Sequence, residues 1–236
     1  RFLNEFEVEK ILGEGSFGCV FKVVNTIDDG IYAVKRVAVD PSNIEKDLEE
    51  VKRLDSFKHE GIVRYHNSWI ESPHSGWQVS IKYDDDCAFL YIQMELGISN
   101  LAEWLDSNDE RDPIRIKSCF KQIVSAVDYI HNKNTIHRDL KPSNILVMSD
   151  DVVKICDLGI ATACKRGEGL TVRTDIGTEL YKAPEQIQGF MYDERVDIFS
   201  IGLILLEMST ALTTEERREV FNDIRNAKQI NKLQDQ

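Results

Sequence analysis

The sequence has no Cys-x-x-Cys pair and no His-Glu-x-x-His, and its five cysteines and five histidines are scattered along the chain. A zinc ribbon or a disulfide framework is therefore a poor reading, and free thiols in a reducing compartment are expected. Long apolar runs are missing too. The longest, near Ile201 to Met208, is interrupted by Gly202 and Glu207 and is far too short to span a bilayer. No signal-peptide pattern opens the chain, which begins on Arg1 and is expected to be a piece of something larger. Positive charge is in short supply: 29 Lys and Arg stand against 41 Asp and Glu, a net charge of −12. That balance argues against nonspecific binding to nucleic acid or an anionic membrane, both of which favour basic surfaces. Internal repeats and low-complexity tracts are absent.

What remains is an ordinary globular composition, 42% hydrophobic and 30% charged over 236 residues, with ample material for a buried core. Phe6–Leu12, Cys19–Val24 and Ile31–Lys35 read as strands, with Asp29-Gly30 as a turn. Pro41 suits the first turn of a helix, continued by the stripe Ile44, Leu48, Val51 and Leu54. Ile62–Ile70 and Ala88–Met94 read as two more strands, joined by an acidic, solvated connection over Ser72–Asp86. After Gly97 the character changes. Ile116, Phe120, Ile123, Val127 and Ile130 recur at steps of three and four, which predicts a long helix. Ile145–Met148 and Val152–Ile155 flank a small hairpin, Asp193–Thr210 reads as a helix buried on most sides, and Glu215–Lys228 as a final amphipathic helix. A sheet-rich unit over 1–96 and a helix-rich unit over 97–236 are expected.

The chemistry-bearing pieces follow in order. Gly13-x-Gly15-x-x-Gly18-x-Val20 lies between two strands. Taken alone it is a hairpin or a glycine-rich flap over phosphates in about equal measure, since glycine motifs carry a high false-positive risk. A strand after it, rather than a helix, favours the flap over a dinucleotide fold. Lys35 ends the apolar Ala33-Val34-Lys35, where its ammonium either faces solvent or meets an anion. Glu50 stands in the following helical stretch.

The most specific string is His137-Arg138-Asp139-Leu140-Lys141-Pro142-Ser143-Asn144, followed by Asp157-Leu158-Gly159 and Ala183-Pro184-Glu185. It resembles the H-R-D-x-x-x-x-N catalytic loop of eukaryotic protein kinases, and the other two resemble D-F-G and A-P-E. The resemblance implies a two-lobed α+β kinase fold with ATP in its cleft. It assigns Asp139 to the acceptor hydroxyl's proton, Lys141 to the transferring phosphoryl, Lys35 to the ATP phosphates and Glu50 to orienting Lys35. Asn144 and Asp157 would hold Mg2+. Gly13, Gly15, Gly18, Val20, Ala33, Lys35, Met94, Glu95, Gly97 and Leu146 would surround the nucleotide. Leu158 replaces the usual phenylalanine and keeps an apolar contact. Thr171 and Thr174 are the implied activating phosphosites, and Lys141 implies serine or threonine acceptors.

A narrower likeness rests on His59-Glu60-Gly61-Ile62-Val63-Arg64-Tyr65-His66-Asn67-Ser68-Trp69-Ile70-Glu71, on Phe89–Met94 and on Leu180–Ile187. These resemble the kinases that phosphorylate the alpha subunit of eukaryotic translation initiation factor two, a brake on translation under stress. Asp150–Ile155 most resembles the endoplasmic-reticulum stress (PERK-like) branch, whose kinase domain faces the cytosol and is tethered to the membrane by a segment outside this region. The family implies a homodimer through the N-terminal lobe using Arg1, Glu5 and Tyr65, and a docking helix at Phe221–Arg225. Two departures stand out: the 72–86 connection is short, and the chain stops where further helices of the C-terminal lobe are expected. The alternative from another class is a pseudokinase-like module that binds nucleotide without transferring phosphate.

Overall fold

A computed structural model describes residues 1–15, 18–39, 51–52, 54–72, 88–108, 110–149, 152–158, 178–188 and 191–234. Contacts group the chain into two units. One holds Arg1–Lys58 and Val63–Leu96; the other holds His59–Ile62, Gly97–Gly159 and Thr174–Gln236.

The first unit is an antiparallel sheet. A single helical turn, α1 (Phe2–Glu5), leads into β1 (Phe6–Gly15), β2 (Gly18–Asn25), β3 (Ile31–Val39), β4 (Tyr65–Glu71) and β5 (Ala88–Glu95), in the spatial order β1-β2-β3-β5-β4. Side chains alternate across such strands, so each face carries its own set. One face holds an aromatic core of Phe2, Phe6, Phe21, Trp69, Phe89 and Tyr91. Trp69 stacks on Phe6 and on Tyr91, with centroids 5.5 and 5.4 Å apart. Arg36 is buried against the same face, its guanidinium 5.4 Å from the Phe21 ring and 4.9 Å from Phe89, an arrangement that replaces lost hydration with the rings' negative faces. The opposite face holds Val39, Leu90 and Ile92 packed with Val51.

In the second unit β6 (Ser99–Asn100) pairs with β7 (Ile145–Ser149), which pairs with β8 (Val152–Ile155). Helix α2 (Leu101–Ser107) starts at Asn100, whose Oδ1 accepts Glu103 N–H at 2.9 Å while Glu103 Oε2 accepts Asn100 N–H at 3.3 Å. That reciprocal cap satisfies two donors the helix itself cannot. Helix α3 (Pro113–Asn132) is capped by Asp112 and buries Ile116, Cys119, Ile123, Ala126, Val127 and Ile130 along one stripe, with Phe120 half-buried at its margin. Short 3-10 turns at Pro142–Asn144 and Thr178–Tyr181 precede α4 (Pro184–Ile187), α5 (Arg195–Ser209) and α6 (Thr214–Gln234). Helix α5 is buried on most sides and even encloses Asp197 and Glu207.

One sequence expectation is corrected here. Ile62 does not open a strand with Tyr65. It forms a lone parallel bridge to Ile155, and Gly61 C=O accepts Ile155 N–H at 2.8 Å, so His59–Ile62 belongs to the helical unit.

Candidate active site

Register places five candidate residues on one face of the first unit's sheet. Gly13 is opposite Val20, Val20 opposite Lys35, and Ala33 opposite Met94, and directly opposed residues share a face. Lys35, two residues on from Ala33, joins them at 4% exposure, so its side chain is withdrawn from solvent. Glu95 is opposite Tyr32, and its Oε1 accepts Arg64 N–H. Gly15 and Gly18 close the hairpin end. Gly18 has φ +110°, and a Cβ there would lie 2.0 Å from Arg36 O, so no other residue fits.

In the second unit the loop after α3 gathers the other candidates. Asn144 is buried and donates through Nδ2 to Asp139 O at 2.8 Å and to Asp139 Oδ2 at 3.2 Å. Lys141 Nζ lies 3.1 Å from the same Oδ2. His137 Nε2 sits 3.0 Å from Cys156 O, tying the loop to the residue before Asp157. Arg138 and Asp157 take left-handed backbone, with φ +71° and +61°. Both are non-glycine residues in a sparsely used region, a strain that persists only where surroundings impose it. Gly97 abuts Leu146: a Cβ on Gly97 would come within 3.0 Å of Leu146 Cβ.

The imposing groups are long-range. Asp197, 1% exposed, accepts Arg138 N–H on Oδ1 at 2.9 Å and His137 N–H on Oδ2 at 2.8 Å, with His131 Nε2 also 2.8 Å from Oδ2. Arg225, buried on α6, donates to the carbonyls of Glu179, Leu180 and Lys182 at 3.3, 2.7 and 3.3 Å, and to Asn222 Oδ1 at 2.7 Å. It thus holds the 3-10 turn Thr178–Tyr181 against α6. Burial pushes its pKa below the ordinary arginine value, with Glu179 opposing. Tyr181 O–H donates to Glu207 Oε2 at 2.5 Å, and Arg217 Nε lies 2.9 Å from Glu207 Oε1. Burial raises the pKa of both the phenol and the carboxyl.

Comparison with known proteins identifies the arrangement. The family model described as "Protein kinase domain" matches residues 6–236. The chain belongs to the protein kinase family. It is 40% identical over 234 residues to the interferon-induced, double-stranded RNA-activated protein kinase of Mus musculus, covering 95% of this chain and 44% of that protein. It is 28% identical over 372 aligned positions to the eIF-2-alpha kinase GCN2 of Homo sapiens, covering 95% of this chain and 22% of that protein. It is 43% identical over 156 residues to eukaryotic translation initiation factor 2-alpha kinase 3 of Rattus norvegicus, covering 59% of this chain and 14% of that protein. The kinase domain here therefore spans less than half the length of these relatives.

Within the kinase, the structure brings Asp139, Lys141 and Asn144 into mutual contact and sets Gly13, Val20, Ala33, Lys35 and Met94 on one face. Glu50, Thr171 and Thr174 lie outside the described residues. Sequence reading named Arg225 only within a docking helix and Gln186 only within a family string, and missed what they hold: Arg225 the carbonyls near Leu180, and the Gln186 amide Arg138 O, to which it donates at 3.0 Å. Neither carbonyl contact has a local signal, because the carbonyls lie 43 to 48 residues away in the chain. Arg1 and Glu5, expected across a dimer interface, pair within the chain at 2.8 Å. No helix among the described residues is long and apolar enough to cross a membrane.

Proposed function

We propose that this kinase transfers the γ-phosphoryl group of ATP to a serine hydroxyl on the alpha subunit of eukaryotic translation initiation factor two. The observation that carries the chemistry is the Asp139 carboxylate, held by Asn144 Nδ2 at 3.2 Å and flanked by Lys141 Nζ at 3.1 Å. A carboxylate so placed takes the proton of an acceptor hydroxyl as its oxygen attacks phosphorus, and the neighbouring ammonium stabilises charge on the transferring group. Phosphoryl transfer asks little covalent chemistry of the protein, so positioning and charge neutralisation carry the rate.

Lys35 would hold the ATP phosphates, with Gly13, Gly15, Gly18, Val20, Ala33, Met94, Glu95, Gly97 and Leu146 around the nucleotide and Glu50 orienting Lys35. The register supports part of that set by putting Gly13, Val20, Ala33, Lys35 and Met94 on one face. The residues also fit Mg2+, which the family uses. Asn144 spends its NH2 group on Asp139, which leaves its amide oxygen as the donor atom, and Asp157 adds a carboxylate. Mg2+ characteristically takes one or two protein oxygens and completes its shell with water and phosphate. When bound, the ion neutralises phosphate charge.

The initiation factor assignment rests on the likeness to relatives named as its kinases, and on α6. Asn222, Asp223 and Ile224 are exposed there, while Phe221 and Arg225 are buried beneath them. We assign this exposed face to docking of the folded substrate. Replacing Asn222 with Asp adds charge to it, yet a carboxylate still accepts from Arg225, so the helix keeps its anchor. Phosphorylation of the folded alpha subunit should fall several-fold while a short generic peptide is phosphorylated at the wild-type rate, as side-by-side radiolabelled-ATP assays will read. Equal loss on both substrates would mean that the change damages the fold rather than docking. Dimerisation through the N-terminal lobe is also part of this proposal, with Arg1 exchanging its internal Glu5 partner for that of a second copy. An endoplasmic-reticulum tether would have to be supplied by a segment outside this chain.

The regulatory-module alternative gains nothing from the site itself, because Lys35, Asp139, Asn144 and Asp157 are all present.

A further inference from the structure

Helix α4 begins four residues after Leu180 and is only one turn long, yet it carries a side chain that reaches the catalytic loop. Gln186 Oε1 accepts Ala183 N–H at 3.0 Å, closing the helix start, and Gln186 Nε2 donates to Arg138 O at 3.0 Å. The two contacts fix the amide's orientation. Only its oxygen can meet an N–H, and only its nitrogen can meet a carbonyl. Arg138 is the residue immediately before Asp139, and its φ of +71° is one that a side-chain-bearing residue adopts reluctantly. Its N–H is held by Asp197 Oδ1 at 2.9 Å. The carbonyl on its other side is the one Gln186 holds.

We propose that Gln186 is a positioning residue for phosphoryl transfer: with Asp197 it clamps the Arg138 residue from both ends, and the clamp fixes the strained backbone that aims Asp139. The two clamps come from different elements. Asp197 belongs to α5, the buried central helix. Gln186 belongs to α4, whose N-cap Ala183 follows the 3-10 turn that Arg225 anchors to α6. The orientation of Asp139 is thereby set in part by the segment that leads out of residues 178–183. The inference rests on Asp139 being the acceptor-side carboxylate, and the experiment below separates the two claims.

Gln186→Glu is the discriminating change. It is nearly isosteric, and Glu still accepts Ala183 N–H, so the start of α4 is preserved. It has no N–H for Arg138 O, and sets a carboxylate against that carbonyl instead. In the full protein, hydrogen exchange of the backbone over His137–Asp139 should quicken about 3- to 10-fold, as loss of one hydrogen bond implies. The kcat on a generic peptide should fall by a similar factor, with the KM for ATP unchanged and the melting temperature lowered by no more than about 2–4 °C. A Gln186→Met variant, which loses both contacts, should lower kcat at least as far and the melting temperature as well. Exchange at His137–Asp139 that matches wild type in the Glu variant overturns the clamp whether or not the protein transfers phosphate. Faster exchange with unchanged kcat overturns the link to catalysis. A fall in kcat that tracks the melting temperature in both variants assigns Gln186 to the fold alone and likewise overturns the proposal.

Discussion

Replacing Asp139 with Asn should lower the single-turnover rate of phosphoryl transfer by about 10²- to 10⁴-fold, the usual contribution of a positioned general base. Asparagine keeps the size of the side chain and an oxygen for Asn144 Nδ2, now 3.2 Å from Asp139 Oδ2, so the loop is not emptied. What it loses is the negative charge: no basic oxygen faces the acceptor hydroxyl, and Lys141 Nζ, 3.1 Å away, loses its ionic partner. Both losses bear on the acceptor and the moving phosphoryl group. ATP binding should stay at the wild-type level, because the glycine hairpin and Lys35 are untouched. Rapid-quench kinetics beside a nucleotide-binding titration separates the two quantities. Transfer within a few-fold of wild type would remove Asp139 from the mechanism.

The largest effect on stability should come from Asp197→Asn. Asp197 is 1% exposed and its two oxygens meet two backbone N–H groups and a histidine nitrogen. An amide has one accepting oxygen, so its NH2 group must face at least one of those N–H donors. A buried donor left without an acceptor costs about 1–3 kcal/mol, and breaking a buried charged network costs more, so a loss of about 2–4 kcal/mol is expected. Activity should fall further than stability alone explains. Arg138 is held at φ +71° by this carboxylate, and strained backbone of that kind stores about 1–3 kcal/mol. Once released, the loop relaxes away from its working geometry, and a further loss of about 10- to 100-fold follows from that energy. Denaturant unfolding together with kcat measured well below the unfolding midpoint tests both parts. An Asp197→Asn protein as stable and as active as wild type would show that the network is incidental.

Much of the site was legible in the sequence because its residues are close together in the chain. Asp139, Lys141 and Asn144 fall within six consecutive positions, so one short loop keeps them within reach of one another, although its working geometry is set from outside. The sheet was legible through alternation: Lys35 falls on the same face as Ala33 simply because they stand two positions apart. Other parts had a signal that went unread. Asn100-x-x-Glu103 is a capping-box pattern and announces α2, which the sequence reading passed over. Ile62 misled because a β-branched residue in an apolar run looks like a strand, whereas its partner, Ile155, is 93 positions away. The long-range contacts of Gln186 and Arg225 had no signal. Those contacts are made to backbone carbonyls, which every residue has, so the sequence around a partner such as Arg138 or Leu180 carries no trace of them.

The most direct test of the account is transfer of radiolabelled γ-phosphate from ATP to the folded alpha subunit of eukaryotic translation initiation factor two by the full protein, with the Asp139→Asn protein alongside. The account predicts label on a serine of that subunit with the wild-type protein, and loss of at least 99% of the rate with Asp139→Asn, the lower bound of about 10² for a general base. Tight ATP binding by both proteins with no label from either would contradict it, and would make the chain a nucleotide-binding regulatory module instead.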